Sequence, residues 1–194
     1  VVPKKIRCCG SLNPHLGKED DAHKDFRNNI DTWYEEHQKG NLDAILSNTS
    51  GCGTTMKDYG FIFKNDEKMK KKSKVISDLT RDVSEYLNEN LKLDFKAKAI
   101  KYKIAYHSAC SMQHGQKVHS QPMELLSKTD NEVMEIPEGH ICCGSAGTYN
   151  ILQTEIAKEL LRKKVKNIES LKPDFISTGN IGCITQISVG TKTP

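Results

Sequence analysis

The sequence lacks the long apolar segment that a membrane-spanning protein needs. No run approaches the roughly 18–20 apolar residues of a transmembrane helix, and the opening stretch VVPKKIRCCG has no apolar core of a secretory signal. With 36% hydrophobic and 28% charged residues over 194 positions, the composition indicates a soluble globular chain. Such a chain is long enough for one large domain or two small ones.

The signatures of several enzyme classes are absent as well. The chain has no GxGxxG or Walker sequence for nucleotide phosphates, no serine–histidine–acid order and no carboxylate pair that suggests hydrolysis. Its formal net charge of +4 is too small to indicate a nucleic-acid partner. We therefore expect no catalytic side chain and no nucleic-acid partner.

Cysteine is the informative residue type, because it occurs seven times. An odd number without a secretory signal argues against a disulfide framework and favours metal ligands or redox groups. Residues 8–11 and residues 142–145 both read Cys-Cys-Gly-Ser. Adjacent side chains of a strand point to opposite faces, so both thiols of a pair can serve one site only where the backbone bends, and the glycine permits that bend. Each pair is therefore predicted to bind a metal cluster.

The two Cys-Cys-Gly-Ser sequences open two similar segments, residues 8–55 and residues 142–186. Each segment continues into a helical pattern and then has an aspartate nine positions before a cysteine that follows glycine, Cys52 in the first and Cys183 in the second. Self-similarity of this kind marks a duplicated unit. The second segment also has Cys110 upstream, whereas the first shows no counterpart. We therefore expect a fragment whose first site lacks one ligand and is empty or incomplete.

Apolar periodicity predicts three long helices, over residues 22–39, 66–92 and 148–171. The predicted buried sides of the last two are Ile76, Leu79, Val83, Leu87 and Leu91, and Leu152, Ile156, Leu160, Val165 and Ile168. Short strands alternate with these helices and lead up to the cysteines. This alternation predicts an α/β fold of two tandem repeats, each with a small parallel sheet flanked by helices, the first repeat being truncated at its N-terminus.

The predicted domain boundaries follow the repeat. Residues 1–65 are assigned to the C-terminal half of the first repeat, residues 66–95 to a helical connection, and residues 96–194 to the second repeat. In parallel sheets, ligands bind beyond the carboxyl ends of the strands. The four cysteines of the second repeat are therefore expected to converge there: Cys110, Cys142, Cys143 and Cys183.

The cysteine spacing also bears on the kind of metal. A single zinc ion is the simplest alternative, but zinc sites usually draw on Cys-x-x-Cys knuckles, and this chain has none. Adjacent thiolates suit an iron–sulfur cluster, since its several irons offer separate corners. We rank an iron–sulfur cluster above zinc, and zinc above a vicinal disulfide. His107 and His140 are candidate hydrogen-bond donors to such a cluster, with a packed polar residue as the alternative for each.

Six sequence blocks carry a family resemblance over essentially the whole chain: CCGSLNPHLG, RNNIDTWYEE, SNTSGCGTTMKDYG, YHSACSMQHGQK, PEGHICCGSAGTYN and TGNIGCITQI. In this order and spacing they resemble the iron–sulfur subunits of bacterial glycolate oxidase (glycolate dehydrogenase). Those subunits belong to the cysteine-rich CCG-domain group, which also includes the cysteine-rich subunit of heterodisulfide reductase, the lactate-utilisation iron–sulfur protein and the small subunit of anaerobic glycerol-3-phosphate dehydrogenase.

The resemblance implies a role in electron transfer. It implies two CCG domains that follow an upstream ferredoxin-like domain with two [4Fe-4S] clusters, and a partner subunit that carries FAD and oxidises glycolate to glyoxylate. This chain would pass electrons from the FAD subunit towards quinone, in the cytoplasm or peripherally at the inner face of the cytoplasmic membrane. The metal ligands would be Cys8, Cys9 and Cys52 for the first motif, and Cys110, Cys142, Cys143 and Cys183 for the second. The cluster would be of the [4Fe-4S] type, of standard or altered form.

One departure from the widest CCG pattern matters for the chemistry. That pattern ends in Cys-x-x-Cys, whereas this chain has Thr55 and Gln186 at the last position. The missing fifth thiol favours simple electron transfer over the disulfide chemistry of heterodisulfide reductase. Three alternatives stay open: a subunit of a related lactate or glycerol-3-phosphate dehydrogenase, a thiol–disulfide redox enzyme, and a zinc-stabilised binding module.

Overall fold

The computed structural model describes residues 2–40, 42–90 and 100–194. The chain divides into two compact units, one of residues 1–47 and 51–82 and the other of residues 48–50 and 83–194. Each unit has its own parallel sheet and its own apolar core. The predicted α/β class, with small parallel sheets flanked by helices, is confirmed.

The elements of the first unit are, in chain order, α1 (Leu12–His15), α2 (Glu19–Gln38), β1 (Ile45–Ser47), α3 (Ser50–Ile62), α4 (Lys70–Leu79) and β2 (Thr80–Asp82). Strand β1 pairs in parallel with β2, with Ile45 opposite Thr80. The helix α2 begins with three acidic residues, which favour the positive end of a helix. It ends before Gly40, whose φ of +76° lies in the left-handed region that glycine adopts readily. The first predicted helix is thus confirmed.

The second unit contains α5 (Val83–Asn90), β3 (Lys103–His107), the π-helix Ser111–Gln116, α6 (Gln121–Ser127), β4 (Glu132–Glu135), α7 (Tyr149–Leu152), α8 (Thr154–Ser170), β5 (Phe175–Thr178) and α9 (Ile181–Ser188). The three strands form a parallel sheet in the order β4-β3-β5. Ala105 of β3 lies opposite Met134 of β4 and Ile176 of β5. All three carboxyl ends therefore meet at one edge of the sheet.

The prediction of one continuous helix over residues 66–92 is wrong. The chain leaves the helix at Thr80 and pairs three residues with β1 before it enters α5. Thr80 and Asp82 are both buried in this strand, which is the parallel partner of β1. Of the predicted buried side, Ile76 is buried and Leu79 half-buried, whereas Leu91 lies outside the described residues.

The third predicted helix is broken as well. Gln153 has the non-helical angles φ −127° and ψ 55°, and it separates α7 from α8. The break rotates the apolar period, so Leu152 and Ile156 are exposed and their predicted burial is wrong. The buried residues of α8 are Ala157, Lys164, Val165 and Ile168.

Both apolar cores lie beside cysteines. The core of the second unit consists of Ala105, Ala109, Met112, Val118, Ile136, Cys143, Ile168, Cys183 and Ile187. In the first unit, the Tyr59 hydroxyl donates to the carbonyl oxygen of Cys9 at 3.1 Å, and its ring belongs to the core. In the part of the chain that the structure describes, no helix is both long and apolar enough to cross a bilayer.

Candidate metal centre

The carboxyl edge of the three-stranded sheet carries four cysteines. Cys110 caps the π-helix that follows β3, Cys142 and Cys143 follow the turn after β4, and Cys183 lies in the first turn of α9, which follows β5. Cys143 and Cys183 are buried, and the other two are half-buried. Each strand therefore delivers its cysteine to the same edge, as the crossover connections of a parallel sheet require.

The four thiols form a continuous chain of contacts. The thiols of Cys110 and Cys143 both interact with the Cys142 sulfur, and Cys143 also interacts with Cys183. Residues that are 73 positions apart in the sequence thus share one site, since Cys110 and Cys183 lie at its two ends. The structure brings together the four cysteines that the sequence analysis grouped, and their role as metal ligands remains a prediction.

The contacts between the thiols lower the pKa values of two cysteines and raise those of the other two. The hydrogen bond from Cys110 lowers the pKa of Cys142, and the hydrogen bond from Cys143 lowers the pKa of Cys183 to about 6. The same contacts, together with burial, raise the pKa values of Cys110 and Cys143. Negative charge at this edge is thus already favoured on two of the four sulfur atoms, and thiolate is the form that binds metals.

Backbone amides add to this stabilisation of sulfur charge. The Gly144 N–H lies 3.3 Å from the Cys142 sulfur, and in the first unit the Gly10 N–H lies 3.5 Å from the Cys8 sulfur. Both glycines have positive φ, +97° and +77°, so the chain turns back over the preceding thiols. The bend predicted from the Cys-Cys-Gly-Ser sequences is present in both units, and it aims N–H groups at sulfur.

Gly144 also allows a close approach of two backbones. A Cβ atom at this position would lie 2.5 Å from the carbonyl oxygen of Ala157 in α8. A side chain would therefore push α8 away from the cysteine turn. The helix α8 is pressed directly against Cys142-Cys143-Gly144 because residue 144 has no side chain.

Asn180 holds Cys183 in place from the other side. It is the N-cap of α9, and its Oδ1 accepts from the N–H groups of Gly182 at 2.9 Å and of Cys183 at 3.2 Å. Asparagine is a preferred N-cap residue for this reason. The strand-to-cysteine pattern of the sequence is thus a strand followed by a capped helix whose first turn carries the thiol.

His107 is the last residue of β3 and is 2% exposed. A ring nitrogen of His107 and the sulfur atoms of Cys143 and Cys183 all lie within 4.8 Å of one another. Neither ring nitrogen has a nitrogen or oxygen hydrogen-bond partner among the described residues. A buried imidazole without such a partner suits a donor to sulfur or to a metal ion at this site, in line with the predicted role.

His140 is placed differently. It does not belong to the group of His107, Cys143 and Cys183. It lines a separate pocket of about 240 Å³ together with Ser108, Gln113 and His119. The structure therefore brings one of the two predicted histidines to the thiols and leaves the other in a pocket that polar and apolar residues line together.

The cysteines of the first unit form a smaller group. The Cys9 thiol donates to the Cys52 sulfur at 3.0 Å, which lowers the pKa of Cys52 to about 7 and raises that of Cys9. Cys8 is exposed. Asn29 fixes this turn, since its Nδ2 donates to the carbonyl oxygen of Cys8 at 2.8 Å. Within the described ranges this unit supplies three thiols, and their role as metal ligands remains a prediction.

The two positions that depart from the Cys-x-x-Cys pattern have structural hydrogen bonds. Gln186 is 9% exposed, and its Oε1 accepts from Asn150 Nδ2 at 3.0 Å. The Thr55 hydroxyl donates to the carbonyl oxygen of Gly51 at 3.3 Å. Both side chains thus bind neighbouring protein atoms at the place where the wider pattern has a fifth thiol.

Lys164 was missed by the sequence analysis. It is 1% exposed, and its Nζ donates to the carbonyl oxygen of Glu138 at 3.2 Å. One signal in the sequence could have found it: position 164 is three residues after Leu161 and four before Ile168, so it falls on the apolar stripe of the helix. The neighbouring lysines at 163 and 166, which are not buried, obscured it.

The donor set fits a thiolate-binding metal centre. Four cysteine sulfur atoms at one edge of the sheet are the ligand set of a Cys₄ iron–sulfur cluster, and an amide donor to sulfur and a buried imidazole lie beside them. A Cys₄ zinc ion would use the same sulfur atoms. The adjacent pair Cys142-Cys143 favours the cluster, because neighbouring thiolates can then bind different irons.

Comparison with known proteins identifies relatives of the whole chain. The glycolate oxidase iron-sulfur subunit of Escherichia coli (strain K12) is 36% identical over 194 residues, which are 100% of this chain and 47% of that protein. The probable glycolate oxidase iron-sulfur subunit of Bacillus subtilis (strain 168) is 27% identical over 98% of this chain and 42% of its own length. This chain therefore spans less than half the length of these two curated relatives.

A shorter relative and a family model complete the comparison. Lactate utilization protein A of Geobacillus sp. (strain WCH70) is 25% identical over 95% of this chain and 76% of its own length. A family model described as a cysteine-rich domain, CCG, matches residues 1–57 and residues 104–188. These two segments contain all seven cysteines and cover well over half of the sequence. The chain therefore belongs to the cysteine-rich CCG domain family.

Proposed function

We propose that this chain is an iron–sulfur electron-transfer subunit of a flavin-linked 2-hydroxy-acid dehydrogenase of the glycolate oxidase type. The observation that carries the proposal is the convergence of Cys110, Cys142, Cys143 and Cys183 at one sheet edge. A cluster of the [4Fe-4S] type, bound there, supplies a one-electron acceptor. The three thiols of the first unit, Cys8, Cys9 and Cys52, are proposed as ligands of a second centre.

The chain's own residues prepare this site for electron transfer. Cys110 and Cys142 are half-buried, so the site lies near the surface. Cys143 and Cys183 are part of the apolar core. Packing fixes the ligands in one arrangement, so an electron can be taken up and passed on with little movement of the protein. The N–H group of Gly144 stabilises negative charge on sulfur.

We assign glycolate oxidation to a partner subunit that carries FAD. Oxidation of glycolate to glyoxylate releases two electrons and two protons, which a flavin can accept together and then release singly to a one-electron centre. The support for glycolate is the 36% identity with a glycolate oxidase iron-sulfur subunit, compared with 25% for a lactate utilization protein. A lactate-oxidising complex is the second candidate, since its relative matches 95% of the chain.

The wider assembly is proposed from the same relatives. They extend well beyond the region matched here, and we propose that an upstream ferredoxin-like domain precedes these two units in the complete protein. Electrons then pass towards quinone, at a cytoplasmic site on the inner face of the membrane. The fifth thiol of the heterodisulfide reductase pattern is replaced at both positions, by Thr55 and by Gln186, whose side chains bind neighbouring protein atoms. This replacement supports electron transfer rather than disulfide reduction.

Anaerobic reconstitution tests the cluster. The chain is unfolded, reduced and refolded with iron and sulfide, and bound iron, acid-labile sulfide and the EPR spectrum of the reduced protein are measured. We expect iron and sulfide in equal amounts, and a loss of the second centre in Cys183→Ser. Ser188→Ala, an exposed change on the same helix, is the matched control. A chain that takes up one zinc ion and never iron would refute the proposal.

A second experiment tests the partner. The gene beside this one is cloned with it, and the two products are purified together under anaerobic conditions. We expect a flavin-containing complex in which glycolate bleaches the absorption of the iron–sulfur centre. Bleaching by lactate alone would move the assignment to the lactate-oxidising candidate, and turnover of a disulfide would move it to thiol–disulfide chemistry.

A further inference from the structure

Lys164 is a buried cation that forms no ion pair with a carboxylate in the described ranges of the chain. The other lysines of α8 are exposed at Lys158, Lys163 and Lys166, whereas Lys164 is 1% exposed. Its ammonium group donates to an uncharged acceptor, the carbonyl oxygen of Glu138, at 3.2 Å. Burial of an ammonium group is unfavourable unless negative charge lies close by.

The carboxylate of Glu138 is already neutralised by other groups. This side chain binds Lys163 Nζ at 2.8 Å and Asn167 Nδ2 at 3.1 Å. Lys164 contacts the backbone of Glu138 and not its side chain. The Glu138 carboxylate therefore does not pair directly with the ammonium group of Lys164.

The geometry of α8 directs Lys164 towards the cysteines. On the buried face of α8, before Lys164, the carbonyl oxygen of Ala157 lies against Gly144, which directly follows Cys142-Cys143. After Lys164 on the same face, Ile168 packs in the same core as Cys143 and Cys183. Lys164 lies between these two contacts on the same face. Its bond to Glu138 ties its ammonium group to the turn that leads into the cysteine pair.

The charges around Lys164 agree with this placement. Burial lowers the pKa of Lys164, and the sulfur atoms of Cys143, Cys142 and Cys183 oppose that shift. The sulfur atoms of the site therefore lie close enough to Lys164 to act on its charge.

We propose that Lys164 supplies a fixed positive charge to the four-thiol site and thereby raises the reduction potential of the iron–sulfur cluster bound there. The inference rests on the proposed function. A cluster with four thiolate ligands is an anion, and reduction adds one more negative charge. A cation held in a dry environment nearby stabilises the reduced form more than the oxidised form, since the attraction grows with the charge and is weakly screened. Lys164 is a positioning residue in this scheme and does not bind the metal.

Redox titration of the reconstituted full chain, followed by EPR, tests the proposal. We expect Lys164→Met and Lys164→Gln to lower the ratio of reduced to oxidised cluster at least tenfold at a fixed potential, which is a shift of 59 mV for one electron. Gln keeps an N–H donor for the Glu138 carbonyl oxygen. The Gln variant therefore still tests the charge if the Met variant does not fold. Lys164→Arg should stay close to the wild type. Lys166→Met, an exposed change on the same helix, should have no effect.

The outcomes separate this inference from the proposed function. If wild type and neutral variants bind the same cluster with the same potential, the proposal for Lys164 is wrong while the proposed function stands. If the wild type takes up no iron, both fail. If the neutral variants fold but lose the cluster, Lys164→Arg decides the outcome. Retention of the cluster in Lys164→Arg supports the proposed role of the positive charge, and its loss overturns the proposal.

Discussion

Gly10 and Gly40 offer a matched pair of substitutions that measures how closely the first cysteine turn packs. Both lie in the first unit, and their φ angles are +77° and +76°. They differ in what a side chain would meet. A Cβ at Gly10 would lie 2.6 Å from the ring of Phe26, whereas a Cβ at Gly40 would meet no atom of the described residues within 4 Å, its chain neighbours aside.

The structure gives the expected size of each effect. Alanine at a left-handed position costs roughly 1–2 kcal/mol, and both variants bear this cost. Gly10→Ala also overpacks the core, which adds roughly 1–3 kcal/mol. Phe26 cannot easily move away, because it is 2% exposed and its ring lies 5.1 Å from that of Tyr59 and 5.8 Å from that of His23. We therefore expect a loss of roughly 2–5 kcal/mol for Gly10→Ala and roughly 1–2 kcal/mol for Gly40→Ala.

Urea unfolding of the metal-free, reduced chain is the assay. Trp33 is the only tryptophan, and it packs against the core of the first unit, so its fluorescence reports the unfolding of this unit. The difference between the two variants in free energy of unfolding isolates the contact with Phe26. Measuring without metal keeps a change in metal affinity from entering the comparison.

A double-mutant cycle separates the contact with Phe26 from backbone strain. In Phe26→Leu the ring is gone, so the added methyl group of Gly10→Ala should cost about as much as in Gly40→Ala, and the coupling energy should be about 1 kcal/mol or more. Equal losses for Gly10→Ala and Gly40→Ala, or a coupling energy near zero, would refute the claim that the first Cys-Cys-Gly turn is closed against Phe26.

Three further changes test the sites and their supports. Asn180→Ala should remove the cap of α9 and lower the free energy of unfolding by about 1 kcal/mol. It should also weaken iron retention by the second centre. Unchanged retention would show that the cap does not hold Cys183. Thr55→Ala and Gln186→Ala should leave the iron content unchanged. Gln186→Ala should lower the free energy of unfolding by about 1 kcal/mol, because Gln186 is buried. A drop in iron content would identify the substituted residue as a ligand. Arg27 lowers the pKa of Asp66, so this contact stabilises the fold above the ordinary pKa of 3.8 and is lost as the pH falls through the lowered value. Asp66→Asn should therefore reduce stability at pH 7 and flatten its fall in acid, which Trp33 fluorescence would record, and an unchanged acid profile would contradict the assignment.

The failures of the sequence analysis have identifiable physical causes. Apolar residues at helical spacing continue from Ile76 through Val83, and this period cannot show that Thr80–Asp82 pairs with β1, because strand pairing is a contact with a distant segment. Leu152 and Ile156 match the period of α8 equally well, but the backbone turn at Gln153 moves them to the exposed side. Local pattern predicts which segments are helical more reliably than where a helix breaks.

The sequence by itself determined the grouping of the cysteines. Two Cys-Cys-Gly-Ser turns and the matching cysteines at positions 52 and 183 define the repeat. Alternating strands and helices imply that the parallel strands of the second repeat deliver its four cysteines to one edge. Glycine after each pair implies the backbone bend. These features are local or follow from topology alone, so they can be read without coordinates.

Only the tertiary structure decided what surrounds the sulfur atoms. It places His107 beside Cys143 and Cys183 but His140 in another pocket, although both histidines lie near cysteines in the sequence. It also buries Lys164 on the side of α8 that faces the cysteine turn. Which side chain faces the site depends on how each helix and strand end packs against distant segments. Sequence spacing identifies the candidate ligands, whereas three-dimensional packing determines the charges and donors around them.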